Sequence, residues 1–366
     1  MKDKAQNEPL AILPGKLFTG LNEEIKTDKA VIIEGREIKD IVDAGDKDLS
    51  SSDIEVIKAP QKTLIPGLID AHVHTYSNGE EKRKDYPARA LTGYLALRSF
   101  KNARKDLRSG FTTLRDCSSR RYVDVALKKV IENGELQGPR LFVSGHGLSM
   151  TGGHGDIGGF PNADIHEDLA VCDTPGEARK QARRQLKMGA DFIKLHATGG
   201  SFGNGAKPGA QQLTQEEMEA AVKEAHKAGK KVAAHAMGAK GMKAAVKAGV
   251  DSIEHGFWMT EDIADMMREK GTVFVPTLTP LYRNETRGGY YDDDEIQEEF
   301  KSKASEIRES HLESLELALD KGVTVACGSD SGGGPFLRHG ENAIELRLMH
   351  EAGMDPSEVI LSATAV

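Results

Sequence analysis

Pro66-Gly67-Leu68-Ile69-Asp70-Ala71-His72-Val73-His74 is the stretch whose reading decides the fold. A Pro-Gly turn leads into a strand, and alternation along a strand puts His72 and His74 on one face. Two imidazoles on one face are a ready pair of metal ligands, although a lone His-x-His is more often a strand end that binds nothing. The rest of the chain tips the balance, because further ligand-type residues close later strand-like runs, each followed by a helical pattern.

Working outward from that stretch, short apolar strands alternate with ten to thirty residues of helical pattern from about Leu64 onward, the rhythm of parallel βα units. The strand ends fall near His74, Cys117, Gly145, His196, His235, His255, Leu278 and Ser329. Eight strands alternating with helices is the count for a closed (β/α)8 TIM barrel, whose active site lies at the carboxyl ends of the strands. Helices are predicted over Glu216–Ala228 and Lys240–Ala248, stopped by Gly229 and Gly249. A doubly wound open sheet is the competing architecture, but no Gly-x-Gly-x-x-Gly turn follows a first strand. Upstream, from Leu10 to Pro60, apolar bursts such as Ala30-Val31-Ile32-Ile33 between turn residues predict a small β structure.

Two stretches interrupt the alternation. Gly145 to Asp156 follows the third strand and is too glycine-rich for a helix, which predicts a loop at the barrel mouth. Pro280 to Glu295 follows the seventh strand, carries Tyr282, Arg283, Glu285, Arg287, Tyr290 and Tyr291 with an acidic run, and is expected to be a solvated loop.

Composition bounds the rest. With 366 residues the chain can bury a large core, and a net charge of −8 without a basic block argues against a nucleic-acid partner. The three cysteines, Cys117, Cys172 and Cys327, are too far apart for a disulfide framework or a thiolate zinc site. Neither a signal peptide in Met1–Lys16 nor a membrane span is evident, so a cytoplasmic protein with no membrane partner is expected.

The fourth strand, Phe192-Ile193-Lys194-Leu195-His196, contains an anomaly. A lysine alternating with apolar neighbours would point into the barrel, where an unpaired ammonium is costly. Either it meets a carboxylate, or its neutral amine takes up carbon dioxide and becomes a carbamate able to bridge two metals. His196 shares its face and is the substitute ligand if Lys194 is unmodified. His235 and His255 end the fifth and sixth strands, and Asp330 ends the eighth at the same level. Imidazole and carboxylate together suit zinc, with iron, manganese and cobalt also compatible.

The ordered set His72-x-His74, Lys194, His235, His255 and Asp330 resembles the amidohydrolase superfamily. Pro66 to His74, the Thr151-Gly-Gly-His-Gly loop and Gly328-Ser-Asp-Ser-Gly are similar to its imidazolonepropionase-related branch, which contains prolidase-like and zinc carboxypeptidase-like dipeptidases. The resemblance covers roughly residues 60 to 360 and is far more specific than any one motif. It implies two divalent ions, zinc being expected: His72, His74 and Asp330 on one, His235 and His255 on the other, and carbamylated Lys194 between them. It also implies a small β-sandwich over residues 1–62 and a catalytic barrel over 63–366, the sandwich lacking the closing strands that relatives add after the barrel. Glu254 and Arg115 receive no role from the pattern.

The implied reaction is hydrolysis of an amide, a dipeptide or an N-acyl amino acid of Xaa-Pro or Xaa-Arg dipeptidase type, by a hydroxide bridging the metals. Asp330 is the expected proton shuttle. Where many relatives carry Tyr or His two residues after the fifth-strand histidine, this chain has Met237, which cannot donate a hydrogen bond. Polarising the substrate would then fall to the metals and to one of the two histidines of the glycine-rich loop, His154 first, with His146 as a second substrate-binding candidate. Opening of a cyclic amide or imidazolone ring, or deamination, is the alternative chemistry, and a binding protein that has lost turnover is the alternative class. A homo-oligomer is compatible with all three.

Overall fold

The computed structural model describes residues 9–45, 49, 54–79, 90–156, 169–200, 207–288, 294–334 and 336–366. The chain forms two compact units, dividing between Gly67 and Leu68.

The first unit is one sheet of β1 (Leu10–Phe18), β2 (Ile25–Lys26), β3 (Lys29–Glu34), β4 (Glu37–Asp43) and β5 (Glu55–Leu64). Its order is β2-β1-β3-β4, antiparallel throughout, with β5 added parallel to β1. The short apolar bursts supply its buried residues, among them Ala11, Leu17, Phe18, Ala30 and Val31, each at most 4% exposed. The β1–β5 register shifts between Pro14 and Lys16, and a Cβ on the intervening Gly15 would strike the Pro60 carbonyl, so glycine permits the close approach.

The second unit is the (β/α)8 barrel. Its first three strands, β6 (Leu68–Val73), β7 (Phe111–Asp116) and β8 (Arg140–Val143), pair in parallel in that order. A short pair, β9 (Leu148–Ser149) and β10 (Ala170–Val171), follows β8, and β9 also pairs with β11 (Phe192–His196). From β11 the ladder continues through β12 (Lys231–Ala236), β13 (Ser252–His255) and β14 (Val273–Val275). The β8–β11 junction is joined by Asp191 N–H donating to the Val143 carbonyl at 2.7 Å and Val143 N–H donating to Asp191 Oδ2 at 2.9 Å.

The eighth crossing is too irregular to form a ladder. It closes the barrel through parallel bridges of Val325 to Phe274 and of Ser331 to Val73. Backbone bonds Ala71 N→Cys327 O, Asp330 N→His72 O and His74 N→Ser331 O, all 2.7–2.8 Å, complete the seam.

Helices α1 (Thr92–Arg108), α2 (Val123–Glu132), α3 (Pro175–Met188), α4 (Gln215–Lys227), α5 (Ala239–Ala248) and α6 (Glu261–Lys270) separate these strands. Thr214 and Glu217 form a capping box that starts α4, and Gly229 and Gly249 follow α4 and α5 with φ of +68° and +90°. The stretch after β14 corrects an expectation. Thr279–Arg287 is a helix, α7, with Thr279, Leu281, Arg283 and Asn284 buried, and α8 spans Asp294–Asp320. Leu278 and Thr279 N–H both donate to the buried Glu345, so a carboxylate from α9 (Ile344–Glu351) caps α7, a tertiary contact that local sequence does not announce. Tyr290, Tyr291 and the start of the acidic run lie outside the described residues. The chain ends on α10 (Pro356–Ser362), and no described helix is long and apolar enough to cross a membrane. All three cysteines are free and buried.

Candidate metal centre

The carboxyl ends of the barrel strands gather six imidazoles into a continuous chain of ring contacts. Centroid separations are 5.3 Å for His74–His72, 4.9 Å for His72–His255, 4.5 Å for His255–His235, 4.3 Å for His235–His154 and 5.3 Å for His154–His196. Lys194 lies on β11 two residues before His196 and is 1% exposed.

Each of four rings has its Nδ1 tied to a protein oxygen. His72 bonds Glu254 Oε2 at 2.6 Å, His74 the Ser118 carbonyl at 3.1 Å, His196 the Leu148 carbonyl at 3.1 Å and His255 Thr277 Oγ1 at 2.7 Å. A carbonyl or carboxylate only accepts, so in the neutral rings of His72, His74 and His196 the proton resides on Nδ1 and the Nε2 lone pair is left for a metal, while the Thr277 hydroxyl, which can donate or accept, fixes the orientation of the His255 ring. Burial, with the Lys194 ammonium among the further causes, holds His72, His196, His235 and His255 well below the ordinary imidazole range, which is the ligating form. His154 is pushed down to about 4 by burial and then Lys194, its ring packed against those of His235 and His196, although the residue as a whole is exposed.

Asp330 Oδ1 stands 3.2 Å from His74 Nε2 and 3.7 Å from His72 Nε2. One ligand atom from each of His72, His74 and Asp330 lies within 4.8 Å of the others. With the ring protons on Nδ1, these atoms present lone pairs to one another, an arrangement that is unfavourable unless a cation sits between them. Among the described residues, Asp330 Oδ1, His235 Nε2 and Lys194 Nζ are buried and make no hydrogen bond. Buried polar atoms converging without partners on the mouth of a barrel fit a divalent-cation site. The backbone is held in the left-handed region at His255, Thr277 and Asp330, with φ of +75°, +53° and +56°. Strand alternation therefore fails at His255, and Glu254 and His255 both serve the barrel interior.

Glu254 and Arg115, left without a role by sequence, form the support behind His72. Arg115 Nη2 meets Glu254 Oε1 at 2.7 Å, Arg115 Nε donates to the Ala71 carbonyl at 2.5 Å, and Ser252 Oγ donates to Glu254 Oε1 at 2.5 Å. Glu254 stays ionised despite burial because Arg115 and then Lys194 oppose the desolvation. His72, Cys117 and Glu254 also have ligand-type atoms close together, but the Arg115 guanidinium already supplies the positive charge there. The available signal was a charged residue inside each of two barrel strands, the same anomaly that singled out Lys194. Ser118 and Thr277 could not be found that way, since one acts through its carbonyl and the other through a hydroxyl.

His146 stands apart from the ring chain: it is 2% exposed and stacked on Tyr122 at 4.1 Å. Met237 is packed with Phe257 and Leu281.

A model of the amidohydrolase family matches residues 63–366, and the chain belongs to that family. It is similar to the ochratoxinase of Aspergillus niger, with 32% identity over 321 residues covering 82% of this chain and 64% of that one. The chain thus spans just under two thirds of the length of that curated relative. Among solved structures it is similar to a Xaa-Pro dipeptidase with methionine bound in the active site, with a TM-score of 0.84, 33% identity, and coverage of 97% of this chain and 87% of that chain. The structure of the A. niger ochratoxinase superposes with a TM-score of 0.85 at 28% identity, covering 98% and 83% of the two chains. A prolidase complexed with N-methylphosphonate-L-proline gives 0.84 at 29% identity, covering 97% and 86%.

Proposed function

We propose that this chain is a metal-dependent amide hydrolase acting on dipeptides or N-acyl amino acids. The observation that carries the proposal is the close approach of His74 Nε2 and Asp330 Oδ1 at 3.2 Å beside the unpartnered Lys194 Nζ, a desolvated constellation that calls for cations. His72, His74 and Asp330 would hold one divalent ion, zinc by donor type, and His235 and His255 a second, with Lys194 as a carbamate between them. His196 is the neighbouring donor if Lys194 keeps its amine. When bound, such ions supply an acidified water and a polarised carbonyl.

The chain's own groups do the rest. Asp330 accepts the proton of the attacking water on its carboxylate and returns it to the leaving nitrogen. His154, neutral and exposed, donates a ring N–H to the substrate carbonyl in the place that Met237 cannot fill. Glu254 and Thr277 keep the His72 and His255 rings turned so that Nε2 faces the site. The relatives named Xaa-Pro dipeptidase, prolidase and ochratoxinase support amide hydrolysis, and the first two favour peptide bonds to proline.

The test is protein reconstituted with zinc and bicarbonate, assayed for metal content and for amine release from Xaa-Pro dipeptides, other dipeptides and N-acetyl amino acids. Hydrolysis that is lost on chelation and restored by zinc is expected. Metal-loaded protein that releases no amine, or activity indifferent to chelation, would overturn the proposal.

A further inference from the structure

The turn that follows β6 begins at His74 and is gripped by side chains from two other parts of the barrel unit. Asn102 Nδ2 donates to the Thr75 and Ser77 carbonyls, both at 2.9 Å, and His339 Nε2 meets the His74 and Ser77 carbonyls at 3.2 and 3.0 Å. Asn102 and Asp106 lie four residues apart on α1 and so share one of its faces. Asp106 Oδ2 accepts from His339 Nδ1 at 2.7 Å, and its Oδ1 accepts from the Gly340 N–H at 2.8 Å. Asn102, Asp106 and His339 are all buried. A carboxylate and carbonyls only accept, so both ring nitrogens of His339 donate, and the charge this gives the ring is balanced by Asp106. A buried ion pair is a poor source of net stability against an apolar replacement. What this pair supplies is a ring that donates at both ends and is held in one orientation.

The segment carrying Asp330 presses on the same carbonyls. A Cβ on Gly332, two residues after Asp330, would come within 2.3 Å of the His74 carbonyl oxygen, 2.7 Å of that of Ser77 and 2.8 Å of His339 Nε2. His339 thus stands where the His74 turn and the Asp330 segment meet, behind the 3.2 Å approach of His74 Nε2 to Asp330 Oδ1. Three residues on, Asn342 Nδ2 donates to Asp70 Oδ2 at 2.8 Å, and Asp70 Oδ1 accepts from the His72 and Ser329 N–H groups at 3.1 and 3.0 Å. The short turn 339–342 therefore bears on His72, His74 and Asp330 together. Among the described residues, no hydrogen bond runs from it to β12 or β13, which carry His235 and His255.

We propose that His339, held by Asp106, is a positioning residue that sets the spacing of His74 and Asp330 and so governs the affinity for the ion of His72, His74 and Asp330, not for the ion of His235 and His255. The proposal rests on the two-ion reading of the centre and adds to it a control over one ion alone.

The experiment measures metal binding apart from turnover. Zinc affinity is determined by competition against a chromophoric chelator, in bicarbonate, for wild type, His339→Leu, His339→Gln and His339→Gln with Asp106→Asn, and unfolding of the metal-free proteins reports structural damage separately. Wild type should bind two zinc ions. In His339→Leu one binding step should weaken about tenfold or more while the other stays within about threefold of wild type. The weakened step should be the one that His74→Ala removes and His235→Ala spares. Adding Asp106→Asn to His339→Gln gives an amide pair that can again hand an N–H to the carbonyls, and should recover part of the affinity that His339→Gln loses. If His339→Leu fails to fold, His339→Gln decides, because its single amide group cannot reach both Asp106 and the carbonyls. Equal weakening of both steps overturns the proposal, as does a folded variant with lowered metal-free stability and unchanged zinc affinity. Wild type that takes up fewer than two zinc ions rejects the two-ion reading and the selective control with it.

Discussion

Glu254→Ala removes a carboxylate that makes three contacts at once: His72 Nδ1 at 2.6 Å, Arg115 Nη2 at 2.7 Å and Ser252 Oγ at 2.5 Å. Glu254 is fully buried, so the change strands the Arg115 guanidinium, and breaking a buried pair by deleting one partner costs about 3–5 kcal/mol. The Arg115 side chain keeps 22% of its surface, which places the expected loss at the lower end, about 3 kcal/mol. A second effect acts on the metal. Without Glu254 the His72 ring can rotate and change tautomer, and loss of such an outer partner weakens metal binding by about 10–100-fold. Urea unfolding of chelator-treated protein measures the first effect, and zinc competition against a chromophoric chelator measures the second. The double variant Arg115→Met with Glu254→Leu should recover part of the stability, since no orphan charge remains, but none of the metal affinity. Metal-free stability within about 1 kcal/mol of wild type, together with unchanged zinc affinity, would refute the argument.

Three further outcomes are expected. Asp330→Asn should abolish most turnover while substrate affinity falls less, because an amide oxygen can still occupy the site but cannot take the water's proton; kcat near wild type would move the proton shuttle elsewhere. His154→Ala should lower kcat/KM by at least about tenfold, about 1.4 kcal/mol, with metal content unchanged, and lost metal would instead make His154 a ligand. Glu345, buried under α7, has its carboxyl pushed by burial from 4.5 up to about 7. The folded state therefore holds a proton that the unfolded state releases, so this contribution is full below about pH 4.5 and is lost as pH rises through about 7, on the order of 3 kcal/mol in all. Glu345→Gln should flatten the fall in unfolding free energy across that window, and parallel pH profiles for variant and wild type would show that the residue does not titrate there.

The barrel and the ring of donors were legible because both are written in local patterns. Strand-helix alternation needs only the periodicity of apolar residues, and His72, His74, Lys194, His235, His255 and Asp330 each sit at or near a strand end, where the fold itself gathers side chains. Glu254 and Arg115 received no role because the family-like pattern assigns them none, and their pairing behind His72 depends on contacts between different strands; the φ of +75° at His255 lets Glu254 and His255 both serve the interior, and no propensity forecasts that kink. His146 drew notice for its neighbours in the chain, yet Tyr122, from a different βα connection, claims its ring. The stretch after β14 looked like a solvated loop because its helix is stabilised by Glu345, more than fifty residues downstream.

By itself, then, the sequence determined the architecture and the inventory of ligand-type groups at the strand ends, since hydrophobic periodicity and residue chemistry are local properties. Only the tertiary structure decided which nitrogen of each imidazole faces the site. Ring orientation follows from partners that folding brings from elsewhere: Glu254 to His72, the Ser118 carbonyl to His74, the Leu148 carbonyl to His196 and the Thr277 hydroxyl to His255, the first three, as pure acceptors, fixing the tautomer as well.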